Sequence, residues 1–279
     1  MIGLCTDSNA QLPPELVERY GVEVVPLTVT VDGVDHLEGV DLDADAFYAG
    51  FAAGRPQVAT SQPSPGRFAE AYRRLADRGA EEVLSVHVGS AVSGTLNAAR
   101  IGARGAPVPV RLVDTGTASF GVGCCVWEAA EALRAGATAD EAARVAEELA
   151  ATIGNVFVVG AVDLARAGGR LAADVGEEAG VPVLSLVGGE IRAVGRAADA
   201  DEAAAVMAGH VLAGGRDLRV AVGVADAAAG PVADALAERL LDRPEVRELV
   251  RYRVGPSVGA HTGPGTAGAF FHPAVAGRG

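Results

Sequence analysis

Four short polar stretches in this sequence carry side chains able to hold an anion, and each stands at the border of an apolar run. Such borders, where strands end and helices begin, are where layered α/β proteins place their ligands. The first stretch is Thr6-Asp7-Ser8, whose residue types suit a capping turn ahead of Pro13 and Pro14 better than direct ligand contact. The second runs Ala59-Thr60-Ser61-Gln62-Pro63-Ser64-Pro65, where two prolines stiffen a hydroxyl-rich loop. Capping accounts for Ser64, because Pro65 suits the first helical position. It does not account for Thr60 and Ser61, for which ligand contact and plain loop solvation are equally open.

The third stretch is Gly89-Ser90-Ala91-Val92-Ser93-Gly94-Thr95. With Ser93 as N-cap and Gly94 admitting a close neighbour, free amides at the positive end of a helix dipole form an anion seat; an ordinary capped helix is the competing reading. Neutral hydroxyls and amides of this kind suit a carboxylate or a phosphoryl group. The fourth pairs Ala167-Gly168-Gly169-Arg170 with the later His261-Thr262-Gly263-Pro264-Gly265. Arg170 reads as a surface ion-pair partner or an anion ligand, and His261 as a structural residue or a proton or phosphate partner.

Other motifs fail on context. GPSVG at 255–259 spells the nucleophile elbow G-x-S-x-G, yet the following AHTGPGTAG predicts a glycine and proline turn rather than a helix, and no Asp or Glu lies beyond Ser257. An independent serine hydrolase or phosphatase using Ser257 or Ser93 is therefore the alternative function, not the leading one. GPGTAG at 263–268 matches a dinucleotide fingerprint but leaves too few residues for the helix and strand that must follow. A chain without Lys has no P-loop, and five scattered histidines with three cysteines (Cys5, Cys124 and Cys125) show no metal-ligand spacing. The sequence thus predicts no catalytic residue, no metal and no cofactor.

Composition narrows the partners. All 23 basic residues are Arg against 36 acidic ones, a net charge of −13, which argues against a nucleic-acid partner. No apolar run is long enough to span a membrane, and the N-terminus reaches Asp7 before a signal-peptide core could form, so a cytoplasmic location is expected.

Val- and Ile-rich runs alternate with helix-period segments, the pattern of α/β layering. Strands are predicted over 2–5, 22–31, 83–88, 108–113, 156–161, 183–187, 218–224 and 249–254. Helices are predicted over 13–20, 44–53, 65–76, 95–103, 119–135, 139–151, 201–213 and 231–241. Two consecutive helices, with Gly136 closing the first and a Thr138/Glu141 capping box opening the second, suggest a domain boundary. Beyond it, Gly188 and Gly189 between apolar runs signal a hairpin. The expected architecture is two domains: an N-terminal α/β domain over 1–152 with a mostly parallel, doubly wound sheet, and a C-terminal α+β domain over 153–279 with mixed or antiparallel pairing.

Taken in order, TDSNAQLP at 6–13, VVPL at 24–27, TSQPSPGRF at 60–68, SGT at 93–95 followed by LNAA, AGGR at 167–170 and GAHTGPGT at 259–266 resemble the DegV family of bacterial fatty-acid-binding proteins. The likeness spans nearly the whole chain. Departures are Asn9 where the family usually has Thr, Val92 where it has Leu, and Leu-Ala-Arg-Ala in place of a basic approach to the GGR. The resemblance implies a long-chain fatty acid in a buried tunnel between two domains, its carboxylate held by the hydroxyls of Thr60, Ser61, Ser93 and Thr95 and the amide of Gly94. It further implies a non-catalytic subunit that presents the carboxylate to a separate ATP-binding fatty acid kinase subunit for acyl phosphate formation, with Arg170 and His261 at the exposed rim.

Overall fold

The structure of the protein, a computed structural model, describes residues 1–54, 56–160, 180–187 and 190–275. Two compact units arise: Met1–Leu42 with Gln57–Ile153 and Val275, and Asp43–Pro56 with Gly154–Ala274. A single cut at 152/153 therefore misses the return of Val275 to the first unit and, above all, the excursion 43–56, which lies within the N-terminal half in sequence but packs with the second unit.

The first unit contains β1 (Ile2–Asp7), α1 (Pro14–Tyr20), β2 (Glu23–Val25), β3 (Thr28–Val31) and β4 (Val34–Leu37). After the excursion, which carries α2 (Ala44–Ala53), it resumes with β5 (Val58–Ser61), α3 (Pro65–Asp77), β6 (Glu82–His87), α4 (Thr95–Ala103), β7 (Val110–Asp114), α5 (Phe120–Arg134) and α6 (Ala139–Ala150). Its main sheet runs β2-β1-β6-β7 with every neighbouring pair parallel. Because side chains alternate along a strand, each strand faces two ways. Leu4, Leu84 and Val86 pack on α5 and α6 through Val126, Ala129, Ala142 and Ala146. Cys5 and Val83 face the other way, onto Phe68, Tyr72, Leu75 and Ala99 of α3 and α4. Helices on both faces make this a doubly wound sheet, as expected.

The predicted strand over 22–31 divides. Pro26 has no N–H to give a ladder, so β2 stops at Val25 and the chain restarts as β3 in a separate antiparallel sheet, β4-β3-β5. The amide of Leu27 donates to Ser8 Oγ at 2.9 Å at the break. β5 corrects the reading of residues 58–61 as loop: their weak alternation gains a partner, β3, that only the fold supplies. The capping box is present, with Thr138 Oγ1 accepting from the Glu141 amide at 3.3 Å and Glu141 Oε2 accepting from the Thr138 amide at 2.9 Å.

The second unit contains β8 (Gly154–Val158), β9 (Val181–Val187), β10 (Glu190–Ala197), α7 (Ala200–Leu212), β11 (Leu218–Val224), α8 (Gly230–Leu241), β12 (Val246–Arg253), α9 (Pro256–Thr262) and β13 (Ala267–Pro273). Its sheet has the order β10-β9-β8-β13-β11-β12, antiparallel except between β11 and β12. The expected hairpin is there, with Val187 opposite Glu190, though Gly188 and Gly189 themselves lie outside the described residues. Val156, Val183, Val220 and Val222 pack beneath Met207 and Val211 of α7 and Leu236 and Leu240 of α8.

In the first unit, α4 approaches the start of α3 most closely at Gly102. A Cβ at Gly102 would stand 2.6 Å from the Pro65 carbonyl oxygen and 2.7 Å from Phe68 Cβ, neither of which can swing away. Gly102→Ala should therefore cost about 1–3 kcal/mol, whereas Gly209→Ala, at an open position of α7, should stabilise by about 0.5–1 kcal/mol. Urea unfolding midpoints check both, and a neutral Gly102→Ala would refute the close-packing account.

Candidate functional site

The hydroxyl-bearing segments form two arms in the first unit. One arm leaves β5, whose Thr60 pairs with Val29 and Ser61 with Thr28. Thr60 is half-buried and Ser61 exposed. Prolines at 63 and 65 then keep the residues before them extended, and Ser64, at φ −69° and ψ 152°, caps α3 by accepting from the Arg67 amide at 3.4 Å. Ser64 thus has the role expected of it.

The other arm leaves β6 and enters α4, but its cap differs from expectation. Gly94, not Ser93, is the N-cap residue. Ser93 stands one position earlier, where its Oγ accepts from the Thr95 amide at 3.2 Å and lies 2.8 Å from Thr95 Oγ1. Thr95 is fully buried and Ser93 half-buried. The amide end of the exposed Gln62 side chain lies against Gly94: a Cβ there would stand 2.3 Å from Gln62 Oε1 and 2.8 Å from Gln62 Cδ. The Gln62 side chain thus lies over the start of α4 and brings the two arms together. No sequence signal marked Gln62, since a polar residue between a serine and a proline reads simply as loop.

Behind the second arm stands Asp114, at the end of β7. Its carboxylate accepts from the Ser90 amide at 3.0 Å, from the Ser90 hydroxyl and from the Gly116 amide at 3.1 Å. Burial opposes ionisation, but the Ser90 hydroxyl and amide and the Gly116 amide together outweigh it and hold the carboxyl below the usual aspartate range.

Deeper still, a row of polar side chains is enclosed between β1, β6 and α3. His87 Nδ1 is 2.9 Å from Asp7 Oδ2, His87 Nε2 is 2.6 Å from Ser85 Oγ, and Ser85 Oγ is 3.0 Å from the Tyr72 hydroxyl. All four side chains are fully buried. Asp7 also accepts from the amides of Asn9 and Val88, both at 3.1 Å, so its capping of the short turn Ser8–Ala10 is one part of its role. Ser85 and His87 escaped the sequence reading, although their spacing of two puts both on one face of a strand.

The remaining candidates lie elsewhere. Arg170 is outside the described residues. His261 is exposed on α9 in the second unit, and the glycine-rich turn expected around it is a helix from Pro256 to Thr262. GPSVG therefore does have the strand and helix of an elbow, contrary to expectation. Ser257 is nonetheless buried at 3% exposure, and Gly259 serves packing, since a Cβ there would meet the Tyr48 hydroxyl at 2.4 Å and Phe47 at 2.8 Å. GPGTAG runs into β13, not into a helix. The cysteines are buried thiols: burial pushes Cys5 and Cys125 up to about 12, leaving them un-ionised and poorly nucleophilic. Among the described residues no cluster of His, Cys, Asp and Glu could hold a metal ion, and no helix is long and apolar enough to cross a membrane.

A doubly wound sheet with two hydroxyl arms at its loop end, joined to a mixed-sheet unit, has known relatives. The family model for uncharacterised proteins of the DegV family matches residues 1–274. The chain belongs to the DegV family. A DegV domain-containing protein of Streptomyces coelicolor is 41% identical over 274 residues, 96% of each chain. A solved DegV family protein from Thermus thermophilus, described by its fatty acid binding, aligns at 32% identity and TM-score 0.82 over 98% of this chain and 99% of that one. A Thermotoga maritima protein whose structure reveals a fatty acid binding function aligns at 25% identity and TM-score 0.81, over 98% and 99%. The resemblance read from the short segments is thus borne out, and so are the parallel and mixed sheets expected of a DegV chain.

Asp114 generates a prediction with a definite sign. Its folded pKa is depressed, so the stability it contributes is complete above the ordinary aspartate value of about 3.9 and is lost as pH falls through the lower folded value. Asp114→Asn should be less stable than the parent at neutral pH and should lose less stability on acidification below about pH 4. Thermal unfolding across that range checks it; parallel acid limbs would remove Asp114 from the account.

Proposed function

We propose that the chain is a non-catalytic cytoplasmic carrier of a long-chain fatty acid, with the carboxylate on the hydroxyls of Thr60, Ser61, Ser93 and Thr95 and the amide of Gly94. The observation that carries the reading is the contact of Gln62 with Gly94, which unites two hydroxyl arms that lie more than thirty residues apart in sequence. The similarity to the Thermus thermophilus protein supports it. Neutral donors suit a carboxylate that is to be held and handed on: hydrogen bonds to an ionised acceptor are strong, yet no buried cation is left behind when the ligand departs. Each buried methylene adds about 0.8 kcal/mol, so a long acyl chain supplies affinity without further polar contacts. The loaded protein presents its carboxylate to a separate ATP-binding kinase subunit for acyl phosphate formation, and Arg170 and His261 serve that step rather than lipid binding.

Mass spectrometry of an organic extract of the native protein should return a fatty acid in stoichiometric amount. Ser93→Ala should keep the fold and weaken fatty-acid binding by about 1–3 kcal/mol, because a charged acceptor loses a donor. Unchanged affinity in both Ser93→Ala and Thr60→Ala would exclude the seat. Arg170→Ala should retain the lipid and fail to support phosphorylation by the cognate kinase; loss of lipid together with turnover would instead assign Arg170 to binding.

A further inference from the structure

The enclosed row of Tyr72, Ser85, His87 and Asp7 has the spacing of a serine, histidine and aspartate relay, but with no exposed surface it cannot meet a substrate. Its hydrogen bonds close in one direction. An Asp7 carboxylate can only accept, so His87 donates from Nδ1; in the neutral tautomer Nε2 accepts from the Ser85 hydroxyl, which in turn accepts from the Tyr72 hydroxyl. In that arrangement each of the three contacts along the row has a donor and an acceptor. Burial raises the Tyr72 phenol well above its usual value, which keeps it a donor.

Where the row sits gives it a use. On this face of β6, Val83 is apolar and makes ordinary core contacts, while the polar pair Ser85 and His87 occupies the two positions next to the strand's C-terminal end. From that end the chain passes through Val88, whose amide Asp7 also holds, into the arm of Ser93 and Thr95. Tyr72 belongs to α3, which begins directly after the arm of Thr60 and Ser61. Phe68, one turn earlier on α3, meets the His87 ring edge to face at 5.1 Å and 85°. The row thus links the helix that follows one arm to the strand that precedes the other. Apolar residues would fill such a site at less desolvation cost, but they would not fix direction; hydrogen bonds of defined geometry do, and a recognition site needs that support from behind.

We propose that Tyr72, Ser85, His87 and Asp7 form a positioning network that sets the two hydroxyl arms at the separation a carboxylate requires. The inference rests on the carboxylate reading of the seat and deepens it. Its test compares stearic acid with stearyl alcohol, which share the acyl chain and differ in the headgroup. The parent protein should prefer the acid. Tyr72→Phe, which keeps the ring, and Ser85→Ala should retain affinity for the alcohol and lose about two- to tenfold of the preference for the acid, the effect of one net hydrogen bond; Ser85→Thr, which restores the hydroxyl, should recover it. Variants that fold and keep the full preference would overturn the network, and so would variants that lose acid and alcohol equally, since that is the mark of a merely structural role. A parent with no preference would overturn the carboxylate reading and this inference with it. In the unsubstituted protein, the NMR signal of the His87 Nδ1 proton should shift on adding stearic acid and not on adding stearyl alcohol; a signal indifferent to the acid would likewise overturn the network.

Discussion

A carboxylate sealed from water organises the first unit. Asp7 ends β1 and accepts hydrogen bonds from the His87 ring and the Val88 amide across the sheet and from Asn9 in its own turn. A buried charge is tolerable only with such donors around it, so the ends of β1 and β6 cannot separate without exposing or orphaning it. Asn9 extends the hold by accepting from the Ser119 amide at the entry to α5. The loops that follow these strands are therefore anchored at their roots even where their tips meet solvent.

The seat proposed on these loops is built of neutral donors. The chain carries a net −13, and a long-range field of that sign does not attract an anion. In the proposed reading, recognition of a carboxylate therefore falls to local donors, the hydroxyls and amides of residues 60–61 and 93–95. Three arginines of the first unit are engaged in ion pairs: Arg74 and Arg78 both pair with Glu23, and Arg111 pairs with Asp140 and Glu147.

The second unit is built on different terms. Its sheet is largely antiparallel, and α2, carried by the excursion 43–56, lies against α9 through Phe47, Tyr48 and Gly259, with Arg253 bound to Asp45. Three aromatic rings, Phe47, Tyr48 and Phe51, gather on that one helix in a chain that is otherwise poor in aromatics. A helix in the middle of the N-terminal half thereby owes its burial to residues some two hundred positions later.

By itself the sequence determined the layering, the two sheet types, most helix limits and the short motifs that mark the family, because alternation, capping residues and glycine or proline punctuation are local. It also marked Thr60, Ser61, Ser93, Gly94 and Thr95 by type. Only the tertiary structure decided what depends on partners distant in the chain: that β5 pairs with β3, that Pro26 sends two strands to different sheets, that 43–56 joins the second unit, and that Gln62 lies on Gly94. The same holds for the row behind the seat. Asp7 and His87 are eighty residues apart, and a hydrogen bond has a short range in space but none along the sequence; folding alone could bring them to 2.9 Å.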